Sequence, residues 1–367
     1  MALFPTSRLH LVVDLGTALI SGMIVREERS AFAKNKKPDI LEVVRVPLEG
    51  VRHTLAPALN IFFKKAEEAL GGRDPATITV GLAAPYYQGK TVRTQKSFAK
   101  PTSISSEMVA ALCEEKQHAE GKTLQKGEEF VGYDILAVFL NGYHGGKDPR
   151  GRVASQLDVA IRFSVWRAAL KKQLYDLLDG RFPHARVKIR TFPVAYEELF
   201  YAMPHFTQQA TVIDIGGGIT ECSFFDEGIL EEVVTIPEGA EHWLARIAEE
   251  EGVSRDEVMR ETSSAGNRFD RLLEAYTAQW CNLLRPIIAA KILSQPARHF
   301  FLVGGGALLP QTTAAFSSLL KTFQFGDHAD VHALSVAVFR DRFGRWPSSL
   351  LSFLDISLIA LAQTMHE

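Results

Sequence analysis

The sequence has few cysteines and no pair of them at metal-binding or redox spacing. Its 367 residues include 3 cysteines, Cys113, Cys222 and Cys281, which lie far apart and form no CxxC motif. This pattern excludes a disulfide framework and argues against a structural zinc site. We therefore expect the chain to work in a reducing compartment.

An excess of either charge and a long apolar run are also missing. Lys+Arg 41 against Asp+Glu 43 gives a formal net charge of -2, whereas dedicated nucleic-acid binders usually carry a basic excess. The apolar stretch 349–362 is too short to span a bilayer and contains Asp355. With no leader pattern at the N-terminus, we expect a cytoplasmic protein without a nucleic-acid partner. Any membrane contact, at the inner face of the cytoplasmic membrane, would be indirect and made through partners.

The remaining composition is that of a globular α/β protein. Hydrophobic residues make up 46% of the chain and charged residues 23%, and the length suggests two to three domains. Apolar strands alternate with helical patterns along the sequence. We predict helices over 54–70, 166–178 and 348–364, and a hairpin loop over the Lys-rich segment 31–39.

Three glycine turns each follow an apolar strand. They are Asp14-Leu15-Gly16-Thr17, Asp214-Ile215-Gly216-Gly217-Gly218 and Gly304-Gly305-Gly306. The second turn repeats the layout of the first, with an Asp, an apolar residue, a Gly and then a Thr a few positions later. A single turn of this kind is often purely structural, but two Asp-x-Gly turns followed by a strand-GGG-helix form a more specific pattern.

The residue types in these turns suit a nucleotide. Glycine lets backbone N–H groups approach phosphate without a Cβ in the way. Asp14 and Asp214 can order a hydrated divalent cation, since Mg²⁺ usually keeps several waters and takes one or two carboxylates. Thr17 and Thr220 can donate to phosphate, and the turn at 304–306 could let a flat base lie against the backbone.

The three turns resemble the phosphate and adenosine loops of the actin-like ATPase superfamily, which includes actin and sugar kinases. The resemblance implies an actin-like (ribonuclease H-like) two-domain fold, with ATP between the domains and Mg²⁺ held mainly through water. It implies that Asp14 and Asp214 are the catalytic and metal-binding carboxylates. The nucleotide-binding residues it implies are Gly16, Thr17, Gly216, Gly217, Gly218, Thr220, Glu221, Gly304, Gly305 and Gly306.

An inserted block narrows the resemblance to one branch of the superfamily. The run FLNGYHGGKDPRGRVASQLDVAIRF is similar to the α+β 1C (SHS2) insertion of the cell-division protein FtsA, and the pilus-assembly protein PilM has the same architecture. The matching positions are Tyr143, Gly146, Pro149, Gly151, Leu157 and Val159. The implied subdomains are IA (1–85 and 165–208), 1C (86–164), IIA (209–236 and 296–367) and IIB (237–295).

A further helical segment matches the same branch. FtsA-like proteins carry an acidic-x-x-basic pattern near the nucleoside, which Glu257 and Arg260 fit. The resemblance implies that Glu257 accepts from ribose hydroxyls and that Arg260 flanks the adenine. A surface ion pair at i,i+3 spacing explains the two residues equally well.

Three positions depart from the superfamily's patterns. Leu19 stands where many relatives have a phosphate-binding Lys, Phe192 stands where Glu or Gln often orients the attacking water, and Glu221 replaces an Asp. These departures favour ATP binding with at most slow hydrolysis. The segment after Thr364 offers no amphipathic membrane helix of the FtsA type.

Three functions follow from these patterns. The first is an FtsA-like cytoskeletal adaptor of cell division, in which ATP controls self-assembly into a dimer or protofilament and the binding of divisome proteins. The alternative is a PilM-like scaffold of type IV pilus assembly that binds a peptide from an inner-membrane pilus protein. A small-molecule kinase on the same fold is a third, but no residue pattern for a base or a sugar pocket is evident.

One histidine pair is a candidate metal site. His328 and His332 lie four residues apart in GDHADVH, with Asp327 and Asp330 nearby. On one helix face they could bind a metal. A polar surface turn is the favoured interpretation of this segment.

Overall fold

The computed structural model describes residues 6–29, 37–48, 55–201, 203, 209–262, 266–294, 299–323, 329–347 and 355–366. These residues form a mixed α/β structure with three sheets. The predicted loop at 31–39 lies mostly outside the described residues, and Asp327 and His328 lie outside them entirely.

The first sheet has five strands in the order β3-β2-β1-β4-β9. Their bounds are β1 Thr6–Leu15, β2 Leu19–Arg29, β3 Asp39–Pro47, β4 Thr77–Leu82 and β9 Arg186–Thr191. β1 and β2 form an antiparallel hairpin, and β4 runs parallel to β1. Helices α1 (Leu55–Ala69) and α3 (Ala168–Arg181) pack on one face of this sheet.

The second sheet repeats this arrangement with the order β12-β11-β10-β13-β14. Its strands are β10 Ala210–Ile215, β11 Thr220–Asp226, β12 Ile229–Ile236, β13 His299–Val303 and β14 Asp330–Ala333. On its outer face lie α5 (Ala240–Glu251), α7 (Asp270–Ser294) and α8 (Pro310–Lys321), with α6 (Arg255–Thr262) beside α5. The two hairpins β1–β2 and β10–β11 therefore occupy equivalent places in the two sheets.

Two helices fill the space between the sheets. α4 (Phe192–Phe200) and α9 (Ile356–Gln363) share one hydrophobic core with Val12 of the first sheet and Val212 of the second. Val13 and Ile213, the next residues in each strand, face the other way. Val13 packs in the core between the first sheet and helices α1 and α3, and Ile213 packs in the core between the second sheet and its outer helices. Because each strand buries both faces, its sequence is a continuous apolar run rather than an alternating one.

The third sheet has the order β5-β8-β6-β7 and its own core with α2. Its elements are β5 Tyr87–Ser103, α2 Ser106–Gly121, β6 Glu128–Leu140, β7 Tyr143–His144 and β8 Val153–Arg167. Ser105 caps α2 by accepting from the Met108 N–H, as its serine-rich start predicts. The end of β8 reaches the first sheet, because Trp166 is buried in the core that this sheet forms with α1 and α3.

The structure corrects three details of the sequence prediction. Trp166 belongs to β8, and the helix predicted to start there begins at Ala168. The long strand β5 was not predicted, because its polar, mostly exposed residues carry no apolar pattern. His332 lies on strand β14 rather than on a helix or turn. For the helix predicted over 348–364, residues 348–354 lie outside the described part of the chain, and Ile356–Gln363 is the buried helix that the apolar pattern predicts.

Among the helices of the described segments, none combines the length and the apolar character that crossing a bilayer requires.

Candidate functional site

A cavity of about 580 Å³ lies between the first and second sheets. This volume is in the ordinary range for small-ligand sites, about 300–1,000 Å³. The β1–β2 turn, the β10–β11 turn and the start of the turn after β13 all line this cavity. Asp14, Gly16, Thr17, Asp214, Gly216, Gly217, Glu221, Gly304 and Gly305 from the sequence prediction line the cavity.

The two hairpin turns contact each other across the cavity. The Gly218 N–H donates to Thr17 Oγ1 at 2.9 Å, which joins the second sheet's turn to the first. A Cβ on Gly217 would lie 2.3 Å from the Cβ of Ala18. Only glycine therefore fits at position 217 while the turns remain this close.

Helix α5 begins directly beneath the second turn. The Ala240 N–H donates to Gly216 O at 3.0 Å, and the Glu241 N–H donates to Gly217 O at 2.9 Å. A Cβ on Gly239 would lie 2.4 Å from Gly217 O. The turn is thus fixed in place by the first turn of a helix.

Asp14 and Asp214 occupy equivalent positions near the ends of β1 and β10. Asp14 Oδ2 accepts from the Ser357 hydroxyl at 2.5 Å, and Asp214 Oδ2 accepts from the Tyr196 hydroxyl at 2.7 Å. Burial raises the pKa of Asp14 to about 7, with a further contribution from the charge of Asp214, and burial raises the pKa of Asp214 to about 6. Neither donor offsets the loss of hydration, so the charged form of each carboxylate is only partly compensated by its neighbours.

Glu221 brings a third carboxylate to the same cavity. Its Oε2 accepts from the Tyr87 hydroxyl at 2.7 Å, and burial raises its pKa to about 7. Tyr87 begins β5, so the third sheet is hydrogen-bonded to the wall of the cavity. At the rim, Arg255 makes a two-pronged ion pair with Glu241. Arg255 is the basic side chain among the described lining residues, and its charge is already compensated.

The third glycine turn approaches Asp214 closely. Gly304 has φ +83°, and a Cβ there would lie 2.3 Å from Asp214 Oδ1. Both the left-handed backbone and the short approach require glycine. Gly306 is buried against Ile215, so it supports the turn from behind rather than lining the cavity.

Three other predicted residues lie outside the cavity wall. Thr220 is fully buried: its hydroxyl donates to Glu238 O at 2.8 Å and accepts from Trp280 Nε1 at 3.0 Å. Glu257 forms an ion pair with Arg268, and Arg260 Nε donates to Asp256 O at 3.3 Å. Glu257 and Arg260 border a separate shallow depression on α6 and are not paired with each other.

The opposite face of α6 reaches the cavity instead. Arg255, Asp256, Met259 and Thr262 line it, and all belong to one helical stripe. Met259 is, with Leu244, Leu308 and Leu309, one of the apolar lining residues, and Arg255 and Asp256 add charged groups beside it. The i, i+4 spacing of Arg255 and Met259 is the sequence signal that could have identified this face.

The lining fits a magnesium-bound nucleotide better than a free one. Three buried carboxylates would repel phosphate, whereas carboxylate oxygens and water are the ligands that Mg²⁺ prefers. The glycine turns leave room for a close backbone approach, and the apolar lining residues Leu244, Met259, Leu308 and Leu309 suit a flat base. Asp14 and Asp214 are the residues that would hold the ion, directly or through water.

Comparison with known proteins identifies the fold. No family profile matches the chain, and no curated protein matches its sequence. Among solved structures, the PilM–PilN type IV pilus biogenesis complex matches with a TM-score of 0.66 and 11% identity, over 96% of this chain and 98% of that one. The protein has the actin-like ATPase fold that its glycine turns predict.

Other solved structures match less well. The ethanolamine utilization protein EutJ from Carboxydothermus hydrogenoformans has a TM-score of 0.47 and 13% identity, over 90% of this chain and 86% of that one. MreB 5 of Spiroplasma citri bound to AMPPNP also has a TM-score of 0.47, with 12% identity over 98% and 97% of the two chains. Similarity at this level carries no argument about the site.

Proposed function

We propose that this protein binds Mg-ATP in the cavity between its two five-stranded sheets and acts as a nucleotide-controlled scaffold. The observation that carries this proposal is the pairing of two equivalent Asp-x-Gly turns across one cavity. ATP would contact both turns at once, so it would bind most tightly when the two sheets are close together. The bound nucleotide would therefore set the population of the closed form.

The chain's own residues have separate tasks in this mechanism. Asp14 and Asp214 would hold the ion that accompanies the phosphates, and Ser357 and Tyr196 donate hydrogen bonds that fix these two carboxylates in place. Mg²⁺, when bound, supplies positive charge against the phosphates. Thr17 bridges the two turns through the Gly218 N–H.

Hydrolysis is expected to be slow. Phe192 lines the cavity at the start of α4, where related proteins often carry the side chain that orients water. Leu19, which also lines the cavity, offers no charge to the phosphates. We expect steady-state turnover far below about 10 s⁻¹, the typical enzyme median. A rate near that value would show that another group orients the water.

We propose that the chain divides into the four subdomains predicted from its sequence, with the third sheet as the 1C (SHS2) insertion. This division is supported by separate hydrophobic cores for the third sheet and for the outer face of each larger sheet.

For the biological role, we favour a PilM-like scaffold of type IV pilus assembly. Its support is the similarity to PilM in the PilM–PilN complex over nearly the whole chain. The partner would be a peptide from an inner-membrane pilus protein, which would bring the protein to the inner face of the membrane. An FtsA-like division adaptor is the second candidate, supported by the turn from Tyr143 to Gly151 in the third sheet.

A binding measurement separates these two roles. Fluorescence anisotropy would follow labelled cytoplasmic peptides of inner-membrane pilus proteins, and sedimentation with Mg-ATP would follow self-assembly. Saturable peptide binding without sedimentation supports the PilM-like role. Sedimentation that depends on Mg-ATP, without peptide binding, supports the FtsA-like one.

The nucleotide proposal itself is tested by thermal unfolding with and without Mg-ATP. A ligand at about 100 times its Kd stabilises the folded state by roughly 2.7 kcal/mol, which raises the melting temperature clearly. We expect this rise in the wild type and not in Asp214→Asn, which keeps an acceptor for Tyr196 but loses the charge. Asp176→Asn on the exposed surface of α3 is the matched control and should retain it. An equal rise in Asp214→Asn would overturn the site assignment.

A further inference from the structure

A cluster of histidine and aspartate lies at the far edge of the second sheet. Strands β13 and β14 are parallel neighbours, with His299 opposite Asp330 and Phe301 opposite His332. Since alternate residues of a strand face the same side, these four side chains share one face of the sheet. The proposed nucleotide cavity does not use them.

The potential ligand atoms of this cluster are close together. One atom each from His299, Asp330 and His332 can be chosen so that all lie within 4.8 Å of one another. His299 Nδ1 lies 3.5 Å from Asp330 Oδ2, and the two imidazole rings have centroids 6.0 Å apart with planes at 28°. His299 is buried, whereas Asp330 is exposed.

We propose that His299, Asp330 and His332 bind a divalent transition-metal ion of the zinc type. Two imidazole nitrogens and one carboxylate oxygen suit zinc, whereas Mg²⁺ and Ca²⁺ prefer oxygen ligands alone. Tetrahedral Zn²⁺ with bonds of about 2.0–2.2 Å places its ligands about 3.3 Å apart. Side-chain rotations that move the ligand atoms by about 1 Å would reach this geometry.

A simple ion pair explains only part of the cluster. His299 and Asp330 can pair without a metal, but this leaves the Nε2 atom of His332 buried with no hydrogen-bond partner among the described residues. Burying a polar nitrogen without a partner costs about 1–3 kcal/mol. A bound metal ion would also take His332 as a ligand. Because Asp330 is exposed, water could occupy the fourth coordination position.

The site is separate from the nucleotide cavity. His299 begins β13, and Gly304 follows the strand's opposite end, five residues on. At about 3.3 Å per residue, the two positions are roughly 16 Å apart. Metal binding at the cluster and Mg-ATP binding in the cavity can therefore be measured independently.

The test is a zinc titration of the full chain after removal of metals with a chelator. Isothermal calorimetry would compare the wild type with His332→Phe, which keeps a ring stacked beside Phe301, and with Asp330→Asn, an exposed and nearly isosteric change. His118→Ala, on the exposed surface of α2, is the matched control. We expect one Zn²⁺ per chain in the wild type and in the control, and affinity at least about tenfold weaker in both cluster variants.

Cobalt substitution gives a second readout. Co²⁺ in a four-coordinate nitrogen and oxygen site absorbs visible light more strongly than hydrated Co²⁺, so these bands should appear in the wild type and vanish in His332→Phe. The rise in melting temperature with Mg-ATP should be the same in all four proteins, which shows that each is folded. Wild-type protein without zinc binding, or cluster variants that bind zinc as tightly as the wild type, would overturn the proposal.

Discussion

At the scale of single residues, the buried carboxylates around the central helix layer are the most informative groups. Glu197 of α4 is almost completely buried, and Lys147 Nζ lies 3.0 Å from its Oε1. Burial raises the pKa of Glu197 from 4.5 to about 7, although Lys147 acts in the opposite direction. The pair joins the third sheet's loop to the helix between the two larger sheets.

This pKa shift predicts a pH-dependent stability. The folded protein holds the Glu197 proton more tightly than the unfolded chain does, so the free energy of unfolding falls as pH rises from about 4.5 to 7 and then levels off. In Glu197→Gln this contribution, roughly 3 kcal/mol across the window, should be absent. Urea unfolding at several pH values measures it. Glu115→Gln, exposed on α2, should follow the wild type, and a Glu197→Gln profile parallel to the wild type would contradict the prediction.

Gly304 provides a second prediction, with a control that shares its positive φ. Gly304 and Gly127 have φ +83° and +82°, but a Cβ on Gly127 would meet nothing within 4 Å. Alanine is strained by the positive φ at either position, and ψ of 176° puts Gly304 in a region that is essentially restricted to glycine. Only Gly304→Ala should also displace Asp214 and abolish stabilisation by Mg-ATP in thermal unfolding. Retention of full stabilisation in Gly304→Ala would show that the Asp214 contact does not matter.

At the scale of elements, helix α6 shows what sequence patterns can and cannot supply. Its acidic-x-x-basic pair, Glu257 and Arg260, matched a known motif, but the structure places Arg255 and Met259 along the cavity. A motif fixes spacing along the chain, whereas the face that a short helix turns toward a cavity depends on packing against neighbours. Val258 is the residue that α6 buries in the core of the second sheet.

Two adjacent residues of α6 therefore make a sharp test. Met259→Glu places a charge among the apolar lining residues of the cavity and should weaken binding of a fluorescent ATP analogue by about tenfold or more. Arg260→Glu changes a side chain on the other face and should bind within about twofold of the wild type. The reverse order of effects would support the nucleoside contacts implied by the sequence motif.

Local sequence patterns predicted some strands and missed others, because strand pairing also depends on distant segments. β1, β10 and β13 are continuous apolar runs that end in glycine turns, so their type and position followed from the sequence. β5 and β14 are polar and partly exposed, and their pairing with β8 and β13 depends on chain segments distant in sequence. For this reason the grouping of His299 with Asp330 and His332 could not be predicted from either segment alone.

At the scale of the whole molecule, the shared layer of α4 and α9 couples the two larger sheets. Phe200 of α4 stacks on Phe301 of the second sheet with centroids 5.4 Å apart, and the same core includes Val12 of the first sheet. Both sheets therefore lose buried surface if this layer is disturbed, so we expect them to unfold together.

Calorimetry of Phe200→Ala tests this coupling. The loss of a fully buried phenylalanine should cost about 3–5 kcal/mol and lower the melting temperature while both sheets still unfold in one transition. Leu112→Ala, in the separate core of the third sheet, should instead raise hydrogen exchange mainly in β5, β6 and β8. Two resolved transitions for the larger sheets in Phe200→Ala would contradict a shared core.

The hydrogen bond from Ser357 to Asp14 joins residues 343 positions apart in the chain. During synthesis at about 5–20 residues per second, Asp14 therefore leaves the ribosome roughly 17–70 s before its partner does. Until then the first hairpin lacks its contact with α9, and α4 is the part of the shared helix layer that has already been synthesised. The apolar inner face of the hairpin is therefore incompletely covered during this interval, which makes the nascent chain a candidate client for chaperones that shield apolar surfaces.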